Sequence, residues 1–128
     1  MSGRCGVVVA HGRLAEGLLS ALERVAGKQD NLWAVSNDSL GGEELYAEIG
    51  ALLEGRAAGR EAYLMSDMDG GSCGQACRRL LADGRVRAAF FGVNLPLLFE
   101  FVFLDEEGPD AFVAAAVEKG RKALGARP

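Results

Sequence analysis

The 128-residue chain has one histidine, one tryptophan, three prolines and three cysteines. The cysteines, Cys5, Cys73 and Cys77, are odd in number, and their spacing builds neither a disulfide scaffold nor a zinc site. Basic residues are also short, 14 Lys and Arg against 18 Asp and Glu, for a net charge of −4 and a sequence pI of about 5.0. With no basic stripe to neutralise phosphates, nucleic-acid binding is excluded. No run approaches the ~20 uncharged apolar residues that cross a bilayer. The opening MSGRCGVVVAHG lacks the sustained apolar stretch of a secretory signal. There is no Walker loop, no G-x-G-x-x-G fingerprint and no metal-ligand cluster, so neither a cofactor nor a metal is expected. These absences leave a cytoplasmic, reduced, single domain over residues 1–128.

What is present is the balance of a soluble fold, 49% apolar and 25% charged. Residues 5–10, CGVVVA, are a short apolar run suited to a strand buried on both faces. Leu14, Leu18, Leu19, Leu22 and Val25 then recur at helical spacing as far as Gly27, a helix stop. Leu32–Val35 reads as a weaker strand, and Glu43–Glu54 as a helix with Leu45, Ile49, Leu52 and Leu53 on one face. Ala62–Ser66 is the next strand, followed by the loop DMDGGS and a helix carrying Ala76, Leu80 and Leu81. Arg87–Val93 is a further strand. Pro96 opens a helix over Leu97–Leu104, and Ala111–Lys119 forms the last helix, ending before Gly120. The alternation of strand and helix predicts an α/β fold, doubly wound, with a mostly parallel sheet and helices on both faces.

In such sheets ligands collect beyond the carboxyl ends of the strands. Three polar clusters stand there: Ala10–Arg13, Ser66–Ser72 and Gly92–Asn94. His11 is the candidate reactive group, because its ring nitrogens can act as nucleophiles near neutral pH; the alternative is a structural histidine. Asp67 is the candidate orienting carboxylate, since a carboxylate on one ring N–H leaves the other nitrogen basic; its alternative role is a helix N-cap. Gly70, Gly71 and Ser72 run into a helix N-terminus, where free N–H groups suit a transient phosphoryl group, although such a segment is also an ordinary turn. A competing site is the Cys73–Arg79 pair, in the C-x5-R spacing of cysteine phosphatases. Leu80 stands where those enzymes carry Ser or Thr, and the intervening residues look helical.

The segments VVVAHGRLAEGLLSALERVAG, SDMDGGS and GVNLPLLFE together resemble the enzyme IIA domain of the mannose/fructose/sorbose class of the bacterial phosphoenolpyruvate-dependent sugar phosphotransferase system, over nearly the whole chain. HGRLAEG would also suit the dihydroxyacetone kinase phosphotransfer subunit; GVNLP fits the sugar-transport class better. The resemblance implies a phosphotransferase with a phosphohistidine intermediate. Nε2 of His11 would take phosphate from phospho-HPr and pass it to enzyme IIB for sugar uptake. Asp67 would hold Nδ1, and Ser72 with the Gly70–Gly71 amides would receive the phosphoryl oxygens, with Arg13 beside them. A regulatory phosphocarrier module is the alternative use of the same histidine. The resemblance also implies a homodimer, membrane contact only through transporter subunits, and four parallel strands plus one antiparallel edge strand supplied by RKALGARP after Gly120. The chain departs from the family at Cys73 and Gly74, where proline and an aromatic are common, and at Asp69, which adds a negative charge that Arg13 would offset.

Overall fold

A computed structural model describes residues 3–38, 40–106 and 108–128. Its first strand, β1 (Arg4–Ala10), is the apolar run CGVVVA with one polar residue before it. Every residue of β1 from Cys5 onward is buried, because helices cover both faces of the sheet. Helix α1 (Leu14–Ala26) follows and ends at Gly27, whose φ of 82° is the left-handed conformation open to glycine. The chain continues through β2 (Leu32–Ser36), α2 (Gly42–Glu54) and β3 (Glu61–Ser66). After these come α3 (Gly71–Ala82), β4 (Ala88–Phe91), α4 (Leu95–Phe103) and α5 (Pro109–Lys122).

Among the described residues the sheet has four strands in the order β2-β1-β3-β4, and all three pairings are parallel. The α/β class, the parallel sheet and the helices on both faces agree with the sequence. Strand side chains alternate between two cores. Val7, Val9 and Leu64 face α2 and α3, meeting Leu45, Ile49, Cys73, Ala76, Cys77 and Leu80. Val8, Ala10, Tyr63, Met65 and Phe90 face α1, α4 and α5, meeting Leu22, Leu98, Phe101, Phe112 and Ala116. On that side Tyr63 packs edge-on to Phe101 and Phe112, with ring centroids 5.8 and 5.3 Å away.

Three details differ from the sequence-based expectation. Strand β4 is shorter than Arg87–Val93, because Gly92, at φ 83°, turns the chain out of the sheet. Helix α5 does not stop before Gly120. That glycine is buried, and a methyl there would sit 3.3 Å from Asn94 Oδ1 and 3.4 Å from Leu97 Cβ, so it serves as a close-packing position between helices. Residues 121–128 do not form an antiparallel strand in this single chain. Arg121 and Lys122 complete α5, and Ala123–Pro128 follow it as exposed chain outside the sheet. No described helix is long and apolar enough to cross a membrane.

The sheet's register positions the site. Ala10 pairs with Ser36 and Val9 with Ser66. His11, Asn37 and Asp67, each one residue past its strand, therefore emerge together beyond the carboxyl edge. β1 is where the order reverses, with β2 on one side and β3 on the other, and this is where a doubly wound sheet opens a crevice.

Candidate functional site

His11 and Asp67 form a two-point contact through a single carboxylate oxygen. Oδ2 of Asp67 accepts the backbone N–H of His11 at 3.0 Å and lies 2.9 Å from its ring Nδ1. The histidine side chain is 40% exposed and the aspartate 11%, so the ring meets solvent while its partner lies beneath it. Burial pushes the Asp67 carboxyl up. The His11 backbone N–H, the bond to its ring and the attraction of its charge outweigh that and hold the carboxyl below its ordinary value. An ionised carboxylate at Nδ1 places the proton there and leaves the lone pair on Nε2. The other oxygen, Oδ1, is buried with no hydrogen-bond partner among the described residues.

The free side of the ring faces the start of α3. Gly70 is the N-cap and Gly71, at φ 73°, the first helical residue. A methyl on Gly71 would lie 3.1 Å from both Nε2 and Cε1 of His11. Glycine is thus required twice, for its backbone conformation and for the ring's approach. The N–H groups of the first helical turn have no partner within the helix and carry the positive end of its dipole. Ser72 follows on the same turn. Its Oγ accepts a hydrogen bond from Asn37 Nδ2 at 3.1 Å, and Asn37 Oδ1 accepts the Gly12 N–H at 3.3 Å. Ser36 Oγ donates to the Gly12 carbonyl at 2.6 Å. Asn37 thus ties the His11 loop to the α3 N-terminus, and Ser36 ties that loop to the end of β2. The sequence reading missed both; the only signal was that they lie at and just past the end of β2, beside the strand that carries His11.

The other predicted positions separate. Arg13 is exposed at the N-cap of α1, where its carbonyl accepts the Gly17 N–H, and its side chain makes no hydrogen bond or ion pair among the described residues. It does not offset Asp69. Instead Arg78 Nη1 pairs with Asp69 Oδ1 at 2.5 Å and also donates to the Asp69 carbonyl. The third polar cluster is structural here: Asn94 caps α4 by accepting the Leu97 N–H at 3.0 Å, and its Nδ2 reaches the Gly120 carbonyl at 2.9 Å. The cysteine-phosphatase arrangement is not formed. Cys73 is fully buried, and burial first, then the Asp67 charge, pushes its thiol up to about 11. Arg79 instead lies against Glu43, with Nη1 2.7 Å from Oε2, and over the Tyr46 ring. Cys5 and Cys77 are buried core residues, as expected.

This arrangement pairs an oriented imidazole with a cradle of N–H groups and a hydroxyl. Asn37 occupies a lone pair of Ser72 Oγ, which leaves the serine proton free to donate outward. A tetrahedral anion bonded to Nε2 would meet donors on the α3 side and a balancing carboxylate behind the ring.

Residues 6–117 match the family model described as PTS system fructose IIA component. The chain is 34% identical over 128 residues to the PTS system mannose-specific EIIAB component of Escherichia coli strain K12, covering 95% of this chain. It spans only 40% of that relative's length. A phosphotransferase system component EIIA from Streptococcus agalactiae superposes with a TM-score of 0.84 at 22% identity, covering 96% of each chain. A mannose/sorbose specific IIA subunit of the phosphotransferase system from Enterococcus faecalis superposes at 0.83 with 19% identity, covering 100% of this chain and 96% of that one.

Proposed function

This chain belongs to the PTS fructose IIA component family, and on that premise we propose that it is a phosphoryl relay in which His11 carries the phosphate. The observation that carries this reading is the bond from His11 Nδ1 to Asp67, 2.9 Å long, which turns the other ring nitrogen toward Gly71 at the start of α3.

In the proposed step the Nε2 lone pair attacks phosphorus in line. The new N–P bond forms as the donor's bond to phosphorus breaks, and that electron pair returns to the donor. The donor is phospho-HPr and the acceptor is an enzyme IIB, which removes the group by the reverse displacement during sugar uptake. As the N–P bond forms, positive charge develops on the ring. Asp67 is already placed against Nδ1–H to balance it, so little reorganisation is needed. The Gly71 and Ser72 N–H groups and the Ser72 hydroxyl receive the phosphoryl oxygens. Positioning and electrostatics are the main requirements of phosphoryl transfer, and this site supplies both. The relay would work in the cytoplasm, reaching the membrane only through transporter subunits.

The working form in this reading is a homodimer. Strand β4 has no neighbour on its outer side among the described residues. Beside it, Phe91, Leu97, Val117 and Leu124 line a surface hollow of about 450 Å³. Leu124 is 86% exposed on the tail that follows α5. A partner's Ala123–Pro128 laid antiparallel along β4 would cover that edge and bury apolar surface on both chains.

The deciding experiment is incubation with phosphoenolpyruvate, enzyme I and HPr, followed by intact-mass measurement. We expect one added phosphate, labile to acid and stable to base, absent in His11→Ala. A wild-type chain that gains no mass from competent phospho-HPr would overturn the reading.

A further inference from the structure

We propose that His11, Asp67 and Cys73 together form a site for a thiophilic divalent cation such as zinc, and that filling it withholds His11 from phosphorylation. The second half rests on the phosphocarrier reading; the first does not.

The three side chains come from different places: the end of β1, the end of β3 and the first turn of α3. One ligand atom from each lies within 4.8 Å of the others. Zinc bonds to nitrogen, oxygen and sulfur are about 2.0–2.3 Å long, so adjacent ligands of a tetrahedral ion stand roughly 3.3–3.8 Å apart. Small side-chain shifts therefore close the cluster around one ion.

A second observation points the same way. Asp67 Oδ1 is buried and has no partner among the described residues. A buried carboxylate oxygen without a protein donor is costly, and a bound cation would satisfy it. The third ligand decides the class of ion. Thiolate, imidazole and carboxylate together favour zinc and its softer neighbours over magnesium or calcium. A coordinating thiol is deprotonated by the cation itself, so the buried Cys73 needs no other base. The thiol proton leaves to solvent on binding, while the ring proton passes from Nδ1 to Nε2, so the imidazole coordinates as the neutral tautomer and its phosphorylatable nitrogen loses its lone pair. The partly exposed His11 ring gives the ion its way in and leaves a fourth position to water.

A cation on the ring takes the bond Asp67 would otherwise make and draws electron density from the imidazole. Metal binding and phosphorylation then oppose each other, and the coupling is reciprocal.

The probe is cobalt(II), titrated into the reduced, metal-free protein. We expect one equivalent to produce tetrahedral visible bands and a thiolate-to-cobalt charge-transfer band, displaced by zinc. Both signals should persist in Cys5→Ser and Cys77→Ser. In Cys73→Ser and His11→Ala, with circular dichroism confirming the fold, affinity should fall by more than ~100-fold, beyond the ~10–100-fold that outer-shell partners command. A wild-type chain with no charge-transfer band, or a band that survives Cys73→Ser, overturns the site. If Cys73→Ser does not fold, Cys73→Ala takes its place, and His11→Ala decides the question independently. In the phosphorylation assay zinc should slow the wild type at least tenfold and chelation should reverse this. An unaffected rate overturns the regulatory half. A chain that takes no phosphate even without zinc overturns the phosphocarrier reading, while the cobalt spectrum still decides the site.

Discussion

Replacing Asp67 with asparagine separates charge from shape at the His11 ring. Oδ2 of Asp67 accepts two bonds, from the backbone N–H and from Nδ1, at 3.0 and 2.9 Å. An asparagine oxygen can keep both at the same length, so the ring stays in place while its partner becomes neutral. Hydrogen bonds to a charged group contribute about 1.5–3 kcal/mol, against about 0.5–1.5 for neutral pairs. Only the ring bond changes between ground and transition state, because the charge develops on the imidazole. The expected loss is therefore about 1–1.5 kcal/mol of transition-state stabilisation, a transfer roughly 5–12-fold slower. The assay is quenched-flow phosphorylation by phospho-HPr, read by intact mass, with urea unfolding alongside. A rate within about twofold of wild type in a folded Asp67→Asn chain would remove the electrostatic role of Asp67 and leave it a structural tie. The same variant tests the acid limb of stability. Because the folded Asp67 carboxyl is held below its ordinary value of 3.8, its contribution is complete above that value. The contribution is lost as pH falls through the lower folded value. Wild type should therefore lose stability in that acid window, and Asp67→Asn should lose less of it.

Three further outcomes follow from the same geometry. Asn37→Ala removes the donor on Ser72 Oγ and should slow phosphorylation by about 2–12-fold, the range of one neutral hydrogen bond; in a Ser72→Ala background the same change should add nothing, and an additive loss would break the link. Gly74→Ala would ordinarily gain about 1 kcal/mol in a helix interior, but here the methyl overlaps the Asp69 carbonyl oxygen. Urea unfolding should then show a net loss of about 1–3 kcal/mol, as for overpacking, and a stabilised variant would refute the contact. Truncation after Lys122 should convert the dimer to monomer in light scattering; a dimer that survives truncation would exclude tail exchange as its basis.

The sequence by itself determined the class of fold, because CGVVVA, AYLMS and AAFFGV are apolar on both faces and alternate with stretches of helical period. Such strands are stable only between two layers of helix. It also determined the candidate centre, since a single histidine after the first strand and an aspartate after the third must emerge at one edge of a parallel sheet. Tertiary structure decided what cannot be read along a chain. The register Ala10 to Ser36 brought Asn37 to Ser72, a contact between residues 35 positions apart. Gly120 resembles a helix stop in sequence, yet packing against Asn94 and Leu97 makes it an interior residue of α5. Arg13 is two residues from His11, but the first turn of α1 carries it to the surface, while Arg78, eleven residues after Asp67, reaches the neighbouring Asp69. Cys73 reads locally as half of a phosphate loop. Burial in the α3 core makes that role unavailable and sets its sulfur beside His11 and Asp67. The physical reason is the same in each case. Period and composition report which face of an element is apolar, whereas side-chain partners depend on how separate elements are brought into register.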